Sequence, residues 1–243
     1  MSKVNEYRQK LKKLKNWTPF LLKNSGLPGP RGNLELAQVV AEEGTILQFE
    51  QFLSFQANEN TPEVFVVFCG IVGLGKLAAL GEHDRFARLR SYASDPRWRI
   101  REAVAIALQS VGDRDVKLLL KETQSWSKGN WYEKRAAAAA LAEPRLLKDP
   151  KIVWEVLQIF NRITADVESA RHPKDDAFKV LRQGLGYCWS VAVSALPEEG
   201  KLAMEKWLAS NNPDVQWIMK ENLKKNRLIK MDAVWVKACQ SKL

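Results

Sequence analysis

Apolar residues recur along this chain at three- and four-residue spacing, and sustained alternation is absent, so the pattern predicts helices. Val4, Tyr7, Leu11 and Leu14 share one face of a helix over residues 3–15, which leaves Lys10, Lys12, Lys13 and Lys15 for solvent or phosphate. Gly26, Pro28, Gly29, Pro30 and Gly32 crowd residues 24–33, which neither a helix nor a central strand can accommodate, so a loop is expected there. Helices over 34–42 and 45–57 follow. Thr61 as a cap and Pro62 in the first turn then open a helix over 63–80. Val64-Phe65-Val66-Val67-Phe68 is strand-like in composition, but no second run of this kind exists to pair with it, and a lone strand leaves its backbone groups unsatisfied. From Asp84 onward the pattern predicts helices over 85–93, 97–111, 116–123, 132–142, 151–166, 174–194, 198–210 and 215–226. Asp95-Pro96, Gly112-Asp113 and Lys128-Gly129-Asn130 stand as breaks between them.

Some of these breaks resemble one another. Asp95-Pro96-Arg97-Trp98-Arg99-Ile100-Arg101-Glu102-Ala103 joins a polar turn to an amphipathic helix. Asn130-Trp131-Tyr132-Glu133-Lys134-Arg135-Ala136 and Asn212-Pro213-Asp214-Val215-Gln216-Trp217-Ile218-Met219-Lys220 do the same. The interval from Trp98 to Trp131 suits a two-helix repeat. Ala103, Ala105 and Ala107, and Ala136 through Ala140, are small enough to let neighbouring helices pack closely.

The Asp95-Pro96…Arg101…Ala103 pattern and the Asn212-Pro213-Asp214-Val215 copy resemble HEAT repeats over roughly residues 60–227. That resemblance implies an all-α fold, a right-handed superhelix of irregular HEAT-like helix pairs. The expected organisation is an N-terminal helical region over 1–60, a repeat region over 61–230 and a C-terminal tail over 231–243. Chain length, basic charge and tryptophan content also resemble the bacterial HEAT-like DNA alkylation-repair glycosylases, which cradle a duplex on the concave side of the solenoid. The aromatic pair, carboxylate and arginine of that family have no motif match here.

Composition narrows the class of partner. Hydrophobic residues make up 46% of the 243, ample for a core, and 38 basic against 28 acidic side chains give a formal charge of +10 that attracts polyanions. Cys69 and Cys188 lie in apolar surroundings and Cys239 near the end, with no CxxC pair, a usage suited to a reducing compartment. No secretory leader is evident, and Lys76 interrupts the longest apolar run before it reaches the length of a bilayer span. A cytoplasmic monomer without membrane association is therefore expected.

The candidate chemistry is that of binding. Arg85 and Arg88 with Arg97, Arg99 and Arg101 would grip phosphates bidentately if they faced a groove; otherwise they solvate outer faces and pair with Asp84, Asp95 and Glu102. Lys134 and Arg135 belong to the second turn, and Lys220, Lys224 and Arg227 form another basic group along one helix face. Trp98, Trp131 and Trp217 beside the turns either stack on displaced bases or pack between successive repeats. A glycosylase would need a carboxylate near the glycosidic bond, for which Asp113 and Asp166 are the candidates, and both equally suit helix ends. Gly70-Ile71-Val72-Gly73-Leu74-Gly75-Lys76 has the spacing of a phosphate loop, but Leu77 replaces the hydroxyl residue that would bind magnesium, so its glycines are expected to serve close helix contact. His83 and His172 lack ligand-spaced partners, and no GxSxG is present, so no metal or cofactor is expected. The expected function is binding of duplex DNA backbone, with a protein-interaction scaffold and excision of alkylated purines as the alternatives.

Overall fold

The computed structural model describes residues 2–171 and 175–241; His172 and Lys174 lie outside them. Among the described residues the regular structure is fifteen α-helices and one short 3-10 turn, with no strand. They divide into two compact units, Met1–Arg114 and Asp115–Leu243.

Unit 1 contains α1 (Lys3–Lys12), α2 (Thr18–Asn24), α3 (Leu34–Glu43), α4 (Ile46–Leu53), α5 (Pro62–Ala79), α6 (Arg85–Ala93) and α7 (Trp98–Arg114). Thr45 starts α4 through a capping box with Gln48, and Asn33 caps α3 by accepting from the Leu36 amide at 3.1 Å. The 18-residue α5 is long and apolar enough to cross a membrane by length and composition alone, and here it is enclosed by α2, α3, α4, α6 and α7. Val64 through Phe68 are buried around its whole circumference, which explains why this run lacks an amphipathic period. Its glycines bring neighbouring helices into backbone contact. A Cβ on Gly75 would lie 2.5 Å from the Ala107 Cα and 2.6 Å from its carbonyl oxygen, and one on Gly73 would lie 2.4 Å from the Phe49 ring. The Gly70–Lys76 segment is thus a helix-packing surface.

Unit 2 contains α8 (Val116–Trp126), α9 (Trp131–Leu141), a 3-10 turn (Pro144–Leu146), α10 (Pro150–Ser169), α11 (Asp176–Ala195), α12 (Pro197–Leu208), α13 (Pro213–Leu223), α14 (Asn226–Met231) and α15 (Ala233–Gln240). Asn or Asp side chains cap α8, α9, α10, α11, α13 and α15, and proline occupies the first turn of α10, α12 and α13. The central α11 packs against α9 on one side and α13 on the other, while α10 contacts both α8 and α12 in a second row. Asn222 on α13 is fully buried; it accepts from the Ser190 amide at 2.8 Å and donates at 2.8 Å to the Leu185 carbonyl, both on α11. Trp189 donates to Thr164 on α10 at 3.1 Å, and Trp207 donates to Asn161 at 2.7 Å, so α10 is tied to α11 and α12 by indole hydrogen bonds. Cys69 in unit 1 and Cys188 in unit 2 are buried, and burial pushes the Cys188 thiol up to about 12, the behaviour of small core residues.

Several local expectations change. The Thr61 hydroxyl does not cap α5 but donates to the Asn58 carbonyl at 3.1 Å. Gly112-Asp113 does not break α7, since Gly112 is buried in a continuous helix and the next helix starts at Asp115, which accepts from the Lys117 and Leu118 amides at 2.9 and 3.0 Å. The helix expected over 215–226 ends at Leu223, so Arg227 belongs to α14 and does not continue the Lys220–Lys224 face. Residues 233–240, expected in a tail, form α15 and pack on α13 and α14.

Candidate nucleic-acid interface

The arginines of the α6–α7 turn face inward, toward the backbone of their own unit. Asp95 accepts from the Arg97 amide at 2.8 Å and from its guanidinium Nε and Nη2 at 2.9 and 2.8 Å, while Arg97 Nη1 reaches the Ala57 carbonyl at 3.0 Å. The hydrogen bond to Asp95 raises the pKa of Arg97 above its ordinary value. Arg99 is only 2% exposed; it donates to the Gly29 carbonyl at 2.8 Å, pairs with Glu102 at 3.3 Å and lies 3.7 Å from the Trp98 ring centroid. Arg101 is 7% exposed and donates to the Asp95 and Pro96 carbonyls at 2.7 and 2.6 Å. These three side chains hold the α6–α7 turn against the 24–33 loop and the turn before α5. Arg85 pairs with Glu82 at 2.8 Å and Asp84 at 3.3 Å. Arg88 pairs with Glu50, and that hydrogen bond holds the Glu50 carboxyl below the ordinary carboxylate range. Asp113 is exposed near the C-terminal end of α7.

Unit 2 arranges its cations differently, with aromatic rings between them. Arg182 on α11 lies 3.9 Å from the Trp217 ring centroid and 2.9 Å from an Asp214 oxygen, both on α13. Trp217 rests against α11 at Gly186, where a Cβ would approach the indole to 3.1 Å. Arg227 lies 4.9 Å from the centroid of Tyr187, which is 44% exposed, and donates to its hydroxyl. Arg135 on α9 passes Gly184, where a Cβ would lie 3.5 Å from the arginine Cγ. Lys220 is exposed and Lys224 pairs with Glu221 at 2.5 Å; Trp217, Lys220 and Lys224 line a depression of about 310 Å³. The adjoining helices α9, α11, α13 and α14 thus carry Arg135, Arg182, Tyr187, Trp217, Lys220 and Arg227.

At the start of α9 a second group comes together. Lys134 is buried, donates to the Gly129 carbonyl at 2.6 Å, pairs with Asp166 at 3.3 Å and sits 5.2 Å from the Trp131 ring centroid. Phe178 meets Trp131 edge-on at 5.4 Å. Trp131, Lys134 and Asp166 line a basin of about 470 Å³ with Lys128, Arg162, Ser169 and Ala170.

Of the residues singled out from the sequence, Trp131, Lys134 and Asp166 therefore meet in one basin and Trp217, Lys220 and Lys224 in another. Arg85, Arg88, Arg97, Trp98, Arg99, Arg101 and Asp113 belong to unit 1. Arg182, Tyr187, Lys128 and Arg162 escaped sequence reasoning. The available signal was Gly184 and Gly186 on an otherwise regular helix, which mark where α9 and α13 approach and so where long side chains cross. Among the described residues no three of His, Cys, Asp and Glu gather as a metal cluster. No protein-family model matches this chain, and no curated protein is significantly similar to it.

Proposed function

We propose that the chain is a HEAT-like helical-repeat protein that binds the backbone of duplex nucleic acid through the α9–α11–α13 layer of unit 2. The pairs α8/α9, α10/α11 and α12/α13 supply the repeat, one member of each pair in each row. The observation that carries the reading is the row of cations set among aromatic side chains on adjoining helices: Arg135, Arg182 against Trp217, and Arg227 against Tyr187, with Lys220 beside them. Ring contacts limit the rotamer freedom of the guanidinium groups, so less entropy is lost when they meet phosphate. The net charge of +10 adds attraction at a distance.

Fluorescence anisotropy of a labelled duplex across a sodium chloride series tests this. Log K is expected to fall linearly with log salt, and the Lys220→Ala, Arg227→Ala double variant is expected to flatten the slope by about two, roughly one per lost phosphate contact. Absence of binding at low salt, or an unchanged slope in the double variant, would overturn the reading.

A further inference from the structure

The basin at the start of α9 carries an excess of positive charge that the fold does not use. Lys134 and Asp166 neutralise each other at 3.3 Å. Lys128 and Arg162 stand at the same basin, and among the described residues neither has a side-chain hydrogen bond or ion pair. Both are exposed, and they line the basin together with the half-buried Trp131, whose ring is held by Phe178 at 5.4 Å and by the Lys134 ammonium at 5.2 Å. A ring fixed in this way loses little freedom when a planar group stacks on it. The basin is an open depression of about 470 Å³, which leaves the Trp131 ring and both cations accessible together.

We infer that this basin binds a 5′-nucleotide, with the phosphate held by Lys128 and Arg162 and the base stacked on Trp131. The Asp166 carboxylate accepts hydrogen bonds from hydroxyl or amino groups of the nucleoside, and Lys134 keeps that carboxylate in place. Two cations and a ring match a phosphate joined to an aromatic heterocycle better than either part alone. The phosphate is recognised by charge and the heterocycle by its face, so the site tolerates different bases. Such a nucleotide comes either free or as the 5′-phosphorylated end of a strand. The inference does not depend on the duplex-backbone reading, because it uses no residue of the Arg182–Arg227 row.

Isothermal titration calorimetry of the full chain with AMP, adenosine and inorganic phosphate tests it. AMP is expected to bind with one site per chain, and adenosine and phosphate at least about tenfold more weakly. Lys128→Ala with Arg162→Ala is expected to weaken AMP by about tenfold or more, and both residues are exposed, so the thermal unfolding midpoint should not move. Trp131→Leu should weaken AMP and leave inorganic phosphate unaffected. A 5′-phosphorylated single strand and its dephosphorylated twin separate the two sources: preference for the phosphorylated strand over AMP assigns a strand end, and the reverse order assigns a free nucleotide. No AMP binding at about 1 mM, or equal affinity in the double variant, would overturn the inference. AMP binding without duplex binding would remove the backbone reading alone, and duplex binding without AMP binding would remove this one alone.

Discussion

Gly75→Ala is expected to lower the stability of unit 1 by about 2 kcal/mol, although alanine is the better helix former by about 1 kcal/mol. The new methyl would lie 2.5 Å from the Cα and Cβ of Ala107 and 2.6 Å from its carbonyl oxygen. The obstacle is largely backbone, so no rotamer change relieves it, and α5 must move away from α7 along their contact. Overpacking of this kind costs about 1–3 kcal/mol and occasionally more, which outweighs the propensity gain. Gly184→Ala provides the opposite sign. Its methyl would meet only the Arg135 Cγ at 3.5 Å, an ordinary contact, so propensity decides and a gain of up to about 1 kcal/mol is expected. Urea denaturation of the two variants beside the wild type measures both; a Gly75→Ala variant as stable as the wild type would show that α5 and α7 can separate at little cost.

Asn222→Leu is expected to destabilise unit 2 by about 3 kcal/mol, despite the same branched, four-heavy-atom side-chain skeleton. Asn222 is 0% exposed, and its amide reaches across to α11, accepting from Ser190 and donating to Leu185. Leucine provides neither function, so two buried backbone groups lose these partners where water cannot replace them, at about 1–3 kcal/mol each. The apolar gain from the leucine side chain offsets part of that. Asn222→Asp separates the contributions, because it retains the acceptor for the Ser190 amide and loses the donor. Denaturant midpoints followed by tryptophan fluorescence provide the measurement, with Trp189 and Trp217 reporting from the helices concerned. A leucine variant with an unchanged midpoint would mean that α11 satisfies these groups by itself.

Where the chain carries local signals, the sequence could be read. Thr61-Pro62 and Asn212-Pro213 mark helix starts because the fixed proline φ acts within one turn, and at Asn212 the side chain also accepts from the Asp214 and Val215 amides. Residues 233–240 read as a tail even though Asp232 accepts from the Trp235 amide at 2.9 Å and caps α15. Its 8 residues make only about two turns, too few for a helical period to stand out, and Val234 is 82% exposed, so its apolar residues do not mark a single buried face. The arginine turn illustrates the harder limit. Arg97, Arg99 and Arg101 look like phosphate ligands because nothing nearby in sequence shows that carbonyls of Ala57 and Gly29 will receive two of them. The Arg182–Trp217 stack likewise depends on the packing of α11 against α13, which only the three-dimensional arrangement provides.

The enclosure of α5 has a consequence for synthesis. Residues 62–79 leave the ribosome after α2, α3 and α4 but before α6 and α7 exist, so the α7-facing side of this 18-residue greasy segment is exposed until Ala107 has emerged to cover Gly75. During that interval the nascent chain presents what a chaperone, or the machinery that sorts hydrophobic segments to membranes, is built to recognise. Completion of α7 ends that exposure by covering the last open side of the segment within unit 1.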